Sequence, residues 1–319
     1  MVHSTLIMKN VMKKIFLAAI SITIIGSLGC KKNVIKQVYD TATGAKVKFV
    51  QASPGTPAVD FFVGGVRINP VLNSSVTDNG KVTSIATGLS YSSANNANTY
   101  AGAFPANDYA LVKAGSTEVK ITTATPTPAL VSPQTIAPGT NFFTATQNFE
   151  NNKSYSVFAA GLPDQISGLI VEDKFPAADT GVAYVRLVQL IPNASTAVDV
   201  SGTYTPTGGT ATTTSLISNV AFKSVSDFKA IKVNKISTTA YTFQLYLTGT
   251  TTTLGSSTVA LNLTPGRFYT LIARGLAADY TVPGSGIVLK AKARPSDNVN
   301  NKIPEIYFNP PGLSYYVNK

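Results

Sequence analysis

The most reactive side chain in these 319 residues is a thiol, and it stands alone. Cys30 is the only cysteine, so it has no disulfide partner within the chain and no second thiolate with which to hold a metal. Its position decides what chemistry is left to it. Lys9, Lys13 and Lys14 precede a largely apolar run from Ile15 to Ile25, and small residues then lead to Cys30. A positive segment, a short apolar segment and a small-residue stretch make a secretory signal, too short for a stable membrane-spanning helix. Carboxylates are the other reactive class. Asp60 and Asp199 lie in otherwise apolar strands, each just after a proline-containing turn, and Glu172 and Asp173 are adjacent. Adjacent residues on a strand face opposite ways, so Glu172 and Asp173 cannot flank one bond as a glycosidase pair does. The one histidine, His3, leaves with the signal, and tryptophan is absent. A Ser-His-Asp triad, a Cys-His dyad and a thiolate or imidazole zinc site are excluded by inventory. The expectation is a protein that is not an enzyme, with no catalytic residue, no metal site and no cofactor.

Gly26-Ser27-Leu28-Gly29-Cys30 resembles a bacterial lipobox. That resemblance implies cleavage before Cys30 and acylation of its sulfur, with residues 1–29 as signal peptide and 30–44 as lipidated cysteine and tether. The pattern prefers Leu, Val or Ile three positions before the cysteine; here Ser27 holds that place and Leu28 follows. Each buried methylene contributes ~0.8 kcal/mol, so a cysteine bearing two or three acyl chains holds firmly to membrane lipid. Lys31 stands where an inner-membrane retention signal has aspartate, which points to the outer membrane. Whether the protein faces the periplasm or the exterior stays open. In the tether, Asp40-Thr41-Ala42 is similar to a short O-glycosylation acceptor, with Thr41 as the modified residue; a chance tripeptide is the alternative.

Without Lys9, Lys13 and Lys14, the 26 Lys and Arg fall to 23 against 15 acidic residues. The excess is uneven: residues 45–175 carry eight of each sign, whereas 182–293 carry nine basic against three acidic. The second half either faces an anionic envelope polymer or glycan, or is simply a solvated basic face. Nucleic acid is not an expected partner.

The elements that position these groups are strands. Ala45-Lys46-Val47-Lys48-Phe49-Val50 alternates, with Val47 and Phe49 inward and Lys46 and Lys48 outward. Tyr241 to Leu247 alternates too, with Tyr241, Phe243, Leu245 and Leu247 inward. Turn clusters such as Gly64-Gly65 and Pro265-Gly266 separate the runs. The chain also repeats itself. "AKVKFVQASPGTPAVDFF" from Ala45 returns as "AYVRLVQLIPNASTAVDV" from Ala183, and "NFENNKSYSVFAAGL" from Asn148 returns as "NLTPGRFYTLIARGL" from Asn262. Asp108 to Lys113 matches Asp227 to Lys232, and 169–174 aligns with 287–292 as closing strands. The expectation is all-β: two tandem immunoglobulin-like antiparallel β-sandwich domains, 45–175 and 182–293, after the lipoprotein signal peptide. Residues 176–181 read as a hinge-permitting linker, so the domains read as beads on a string. Residues 294–319 read as a tail that packs back on a domain or engages a partner.

"VKFVQASPGTPAVDFFVGG" and "KSYSVFAAGL" resemble the domain-of-unknown-function family 4397, whose members carry a strand, an Ala-Ser-Pro-type turn, Ala-Val-Asp and a second strand. The resemblance implies an extracytoplasmic, Bacteroidetes-type envelope lipoprotein with immunoglobulin-type sandwiches, and some relatives carry the label adhesin. It brings no catalytic residues. Physically, Pro54 and Pro192 stiffen the turn, and Gly55 or Asn193 supplies a positive φ. Asp60 and Asp199 are then expected to accept backbone N–H bonds from that turn and pin it. Calcium is the other use of such an aspartate, and no second acidic neighbour is there to support it. Function reads as a structural or adhesive module tethered to the outer membrane. The alternative is a glycan- or ligand-binding lipoprotein working beside an outer-membrane uptake system.

Overall fold

Alternating side chains need two faces to bury against, and here four stacked sheets supply them. The structure is a computed structural model, and it describes residues 43–78, 81–92, 95–96, 99–126, 136–255, 258–293, 295, 305–308 and 310–319. The signal segment, Cys30 and Thr41 lie outside the described residues. Residues 43–319 group as one compact unit.

The first module runs β1 (Ala45–Gln51), β2 (Val59–Val63), β3 (Val66–Arg67), β4 (Leu72–Asp78), β5 (Lys81–Thr87), β6 (Asn95–Asn96) and β7 (Thr99–Tyr100). It continues through β8 (Ala103–Phe104), β9 (Ala110–Val112), β10 (Gly115–Thr123), β11 (Asn141–Phe149), β12 (Ser154–Ala160) and β13 (Ser167–Glu172). The second runs β14 (Val182–Gln189), β15 (Val198–Tyr204), β16 (Thr212–Val220), β17 (Ser224–Val225), β18 (Lys229–Lys232) and β19 (Thr239–Leu247). After β20 (Val259–Leu263) and β21 (Phe268–Arg274) come β22 (Tyr280–Thr281), β23 (Val288–Ala291), β24 (Glu305–Phe308) and β25 (Gly312–Val317). No helix occurs among the described residues.

Each module packs an inner sheet on an outer one. In the first, the inner order is β13-β12-β1 with β8 and β9 sharing the far edge of β1, and the outer order is β11-β10-β2-β3. In the second, β25-β21-β14 with β17 and β18 faces β16-β15-β19-β20. Pairing is mostly antiparallel, but the central pair of each inner sheet, β1 with β12 and β14 with β21, is parallel. Val47, Phe49, Phe61, Ile121 and Val157 fill the first core; Val185, Leu187, Phe243, Leu245 and Leu271 fill the second.

The alternate residues of the inner sheets meet a third apolar layer. Val50, Ala52 and Phe158 of one module bury against Val188, Leu190, Ile272 and Tyr316 of the other. This overturns the beads-on-a-string expectation, and with it the outward Lys48: Lys46 is exposed, but Lys48 is fully buried. A polar residue on the second face of a strand reads as solvent-facing in sequence, whereas here that face is an interface. The linker is held as well. Phe175, just before it, packs on Phe228 and Phe268 with ring centroids 5.4 and 4.9 Å away, and Tyr184 Oη donates to the Ala177 carbonyl at 2.8 Å.

The closing strand of the second copy also differs from the sequence alignment. Residues 287–292 do not flank β21; β23 lies in a small separate sheet, β22-β23-β24. The place that β13 takes beside β12 is taken beside β21 by β25, six residues in antiparallel register from the tail. Register therefore makes Asp173 and Asn318 equivalent: each follows that strand, and their backbone N–H groups bond the equivalent carbonyls of Ser154 and Phe268. Ending the chain at Pro311 is expected to strip the edge of β21 and open the interface, abolishing the native thermal transition. The single change Tyr316→Ala, which removes a fully buried ring, is expected to cost about 3–5 kcal/mol in chemical denaturation. A truncated chain that melts like the parent would contradict this placement of the tail.

Candidate functional site

The repeat brings two cations to equivalent places. Lys48 and Arg186 occupy the same position of β1 and β14, and both point away from their own core into the shared layer. Arg186 is almost wholly enclosed, as is Asp173. The Arg186 guanidinium donates through Nη2 to Asp173 Oδ1 and through Nε to Thr270 Oγ1, the latter at 2.9 Å. Thr270 donates to Asn318 Oδ1 at 2.6 Å, Asn318 Nδ2 donates to Tyr109 Oη at 2.6 Å, and Tyr109 donates to Asp173 Oδ2 at 2.7 Å. Both routes run from the cation to the carboxylate, one direct and one through three neutral groups. Every donor points the same way, so each bond polarises the next. Ser156 Oγ also donates to Asp173 Oδ2, at 2.9 Å. With that hydrogen committed, Tyr316 Oη is the donor in its 2.9 Å contact with Ser156.

Electrostatics follow from enclosure. Burial works against the Arg186 charge, but Asp173, Tyr316 and Tyr109 together hold the guanidinium above its ordinary value. Burial and then the Asp173 charge push Tyr109 well up, which keeps its hydroxyl a donor. Lys48 has no ion pair among the described residues. Its Nζ donates to the Pro105 carbonyl at 2.6 Å and lies 5.3 and 5.2 Å from the ring centres of Tyr109 and Tyr316. Burial pushes its ammonium down to about 8, against the raising pull of Asp108 and Asp173. Arg186 faces the equivalent ring, Phe228, at 4.7 Å. The arrangement joins the two modules.

The turn residues singled out in the sequence lie elsewhere and behave differently from one another. Asp60 does not bond its own turn: its Oδ1 accepts from Asn69 Nδ2 at 3.1 Å, and its Oδ2 lies 3.6 Å from Arg67. Asp199 does accept backbone N–H groups, but from Asn219 at 2.7 Å and Gly249 at 3.3 Å, and it takes the Thr248 hydroxyl at 2.6 Å. It clamps neighbouring strand ends, and these bonds hold its carboxyl below the ordinary value despite burial. Turns after Pro54 and Pro192 are instead pinned by the repeated glutamines. Gln51 Oε1 accepts from Ser53 N–H at 3.1 Å, and Gln189 Oε1 accepts from Ile191 N–H at 2.6 Å. Gly55 takes the positive φ (77°), while Asn193 does not; its side chain reaches across to the backbone of Ala277 and Ala278.

Sequence reasoning missed the network. Asp173 counted only as half of a failed carboxylate pair; in the structure Glu172 turns away to Lys153, 3.3 Å distant. The available signal was the pairing of Lys48 with Arg186 in the repeat, a cation conserved between copies inside an apolar strand.

Breaking the buried pair on one side leaves an uncompensated charge. Asp173→Asn and Arg186→Met are each expected to lower stability by about 3–5 kcal/mol, while the double variant loses less than their sum. Additive losses in urea unfolding would contradict the coupling. Lys48 has its own signature. The unfolded chain keeps the ammonium proton up to the ordinary value of 10.5, the folded chain only to about 8. Between those values the unfolded state binds more protons, so the Lys48 contribution to stability rises with pH. Lys48→Met is expected to flatten that rise and to be about 1–2 kcal/mol more stable than the parent at pH 7. Parallel stability curves from pH 7 to 11 would contradict it.

No curated protein matches the chain in sequence. Among solved structures, it is similar to CBMbc, a family CBM26 module of Eubacterium rectale Amy13K crystallised with maltoheptaose. The two share 9% identity over 79% of this chain and 98% of that one, with a TM-score of 0.20. At that score the likeness says nothing about a ligand. The family match is to the part that carries the repeated phrase: it begins at β1, spans the first module, and ends inside β15, so it takes in both copies of the strand–turn–strand phrase. Residues 45–201 match the family described as Domain of unknown function (DUF4397).

Proposed function

We propose that this protein is a non-enzymatic scaffold of the cell envelope, lipid-anchored to the outer membrane through Cys30, that holds a structural or adhesive contact under load. The observation that supports this is the placement of β1, the first strand after the tether. It lies in mid-sheet, bonded to β12 in parallel register from Lys46 to Gln51 and to β8 and β9 on its other side. Its second face is buried against the other module. A pull on the tether enters the folded unit at β1, a strand held by ladder bonds on both sides. An edge strand would instead be held on one side alone.

Deletion of the gene is expected to weaken attachment or envelope integrity. Reintroduced Cys30→Ser protein is expected to leave the membrane fraction, to take up no labelled fatty acid, and to restore neither property. Unchanged attachment, aggregation and detergent resistance in the deletion strain would contradict the scaffold reading, and membrane retention of Cys30→Ser would contradict the anchor.

A further inference from the structure

A cleft of about 360 Å³ opens between the modules on the side where β13 approaches β17 and β18. That is at the lower end of the roughly 300–1,000 Å³ typical of small-ligand sites, and domain interfaces are where such sites gather. Its lining includes Glu172, Lys174, Arg186, Asp227 and Phe228. Arg186 reaches it from below: the side chain is 2% exposed, and beyond its bonds to Asp173 and Thr270 its remaining N–H groups have no partner among the described residues. The guanidinium carbon lies 4.7 Å from the centre of the Phe228 ring. Asp227 stands exposed at the rim with no ion pair among the described residues.

The signs of these groups select the ligand. An anion drawn to Arg186 and Lys174 meets the carboxylate of Asp227, and a cation drawn to that carboxylate meets Arg186, while Glu172 is already engaged by Lys153. A neutral polyhydroxylated compound satisfies both sets, since each hydroxyl donates to a carboxylate and accepts from a guanidinium or ammonium. From this matching of donors and acceptors around a small polar cleft, we infer that the inter-module cleft binds a neutral sugar unit, with Arg186 as the floor donor and Asp227 as the rim acceptor. The cleft has no counterpart in the scaffold reading and stands or falls apart from it. Its partner set also differs from the Asp173 network, because Asp227 takes no part in holding the modules together.

The test is calorimetric titration of the full chain with glucose, galactose, mannose, N-acetylglucosamine, cellobiose and maltose, beside sodium acetate and inorganic phosphate. At least one neutral sugar is expected to give a saturable one-to-one isotherm, and neither anion is expected to compete. Asp227→Asn is expected to weaken that isotherm about tenfold, the loss of one charge-assisted hydrogen bond, with an unchanged thermal midpoint. Silence from every sugar, competition by phosphate or acetate, or full-strength binding by Asp227→Asn would each overturn the inference.

Discussion

A duplicated sheet that packs on its own copy brings like residues together, and here the like residues are cations. Lys48 and Arg186 stand at one repeat position and enter the same dry layer, where burying an unpaired charge is costly. The two modules resolve this by an asymmetry at another equivalent pair: Asp173 follows β13, and Asn318 follows β25. One carboxylate must therefore serve two cations. It goes to the arginine, which cannot shed its proton in a protein. The lysine is given a backbone carbonyl and two aromatic rings instead, and burial moves it toward neutrality.

The rest of the architecture follows from where the carboxylate and the amide must lie. Asn318 reaches Tyr109 and Thr270 only because the chain returns, after the β22-β23-β24 detour, to add β25 beside β21. The glycines before the detour mark the geometry. Gly161 and Gly275 occupy equivalent positions with φ of 121° and 106°, and a Cβ at Gly161 would stand 2.3 Å from the Gln165 carbonyl oxygen. The chain thus turns out of both inner sheets in the same way and then diverges. In the first copy it returns within a few residues, in the second after more than thirty. The interface resembles an isologous contact made within one chain: equivalent strands of the repeat face each other, with Ala52 and Phe158 in one copy where Leu190 and Ile272 stand in the other.

Much of this was legible as pattern. Alternation in Ala45–Val50 and Tyr241–Leu247 identified strands and their core-facing residues, because one face of each strand obeys simple burial. The recurring phrases marked two copies. What the pattern could not carry was the second face. Lys48 and Arg186 look solvated when residues are read one strand at a time, and only the stacking of two copies makes that face dry. The closing strand was misplaced for a related reason: Ile287–Lys292 has the right composition, yet strand pairing is fixed by register and by where the chain can return, not by composition. Asp60 and Asp199 look equivalent in the phrase, but their partners come from loops that have diverged, so one meets Asn69 and the other Thr248.

If the buried charge network joins the modules, they cannot unfold separately. Differential scanning calorimetry of the full chain at pH 7 is the direct measurement. The account predicts one transition whose van't Hoff and calorimetric enthalpies agree, with both sandwiches lost together. Two resolved transitions, or a van't Hoff enthalpy near half the calorimetric value, would show modules that stand alone and would contradict it.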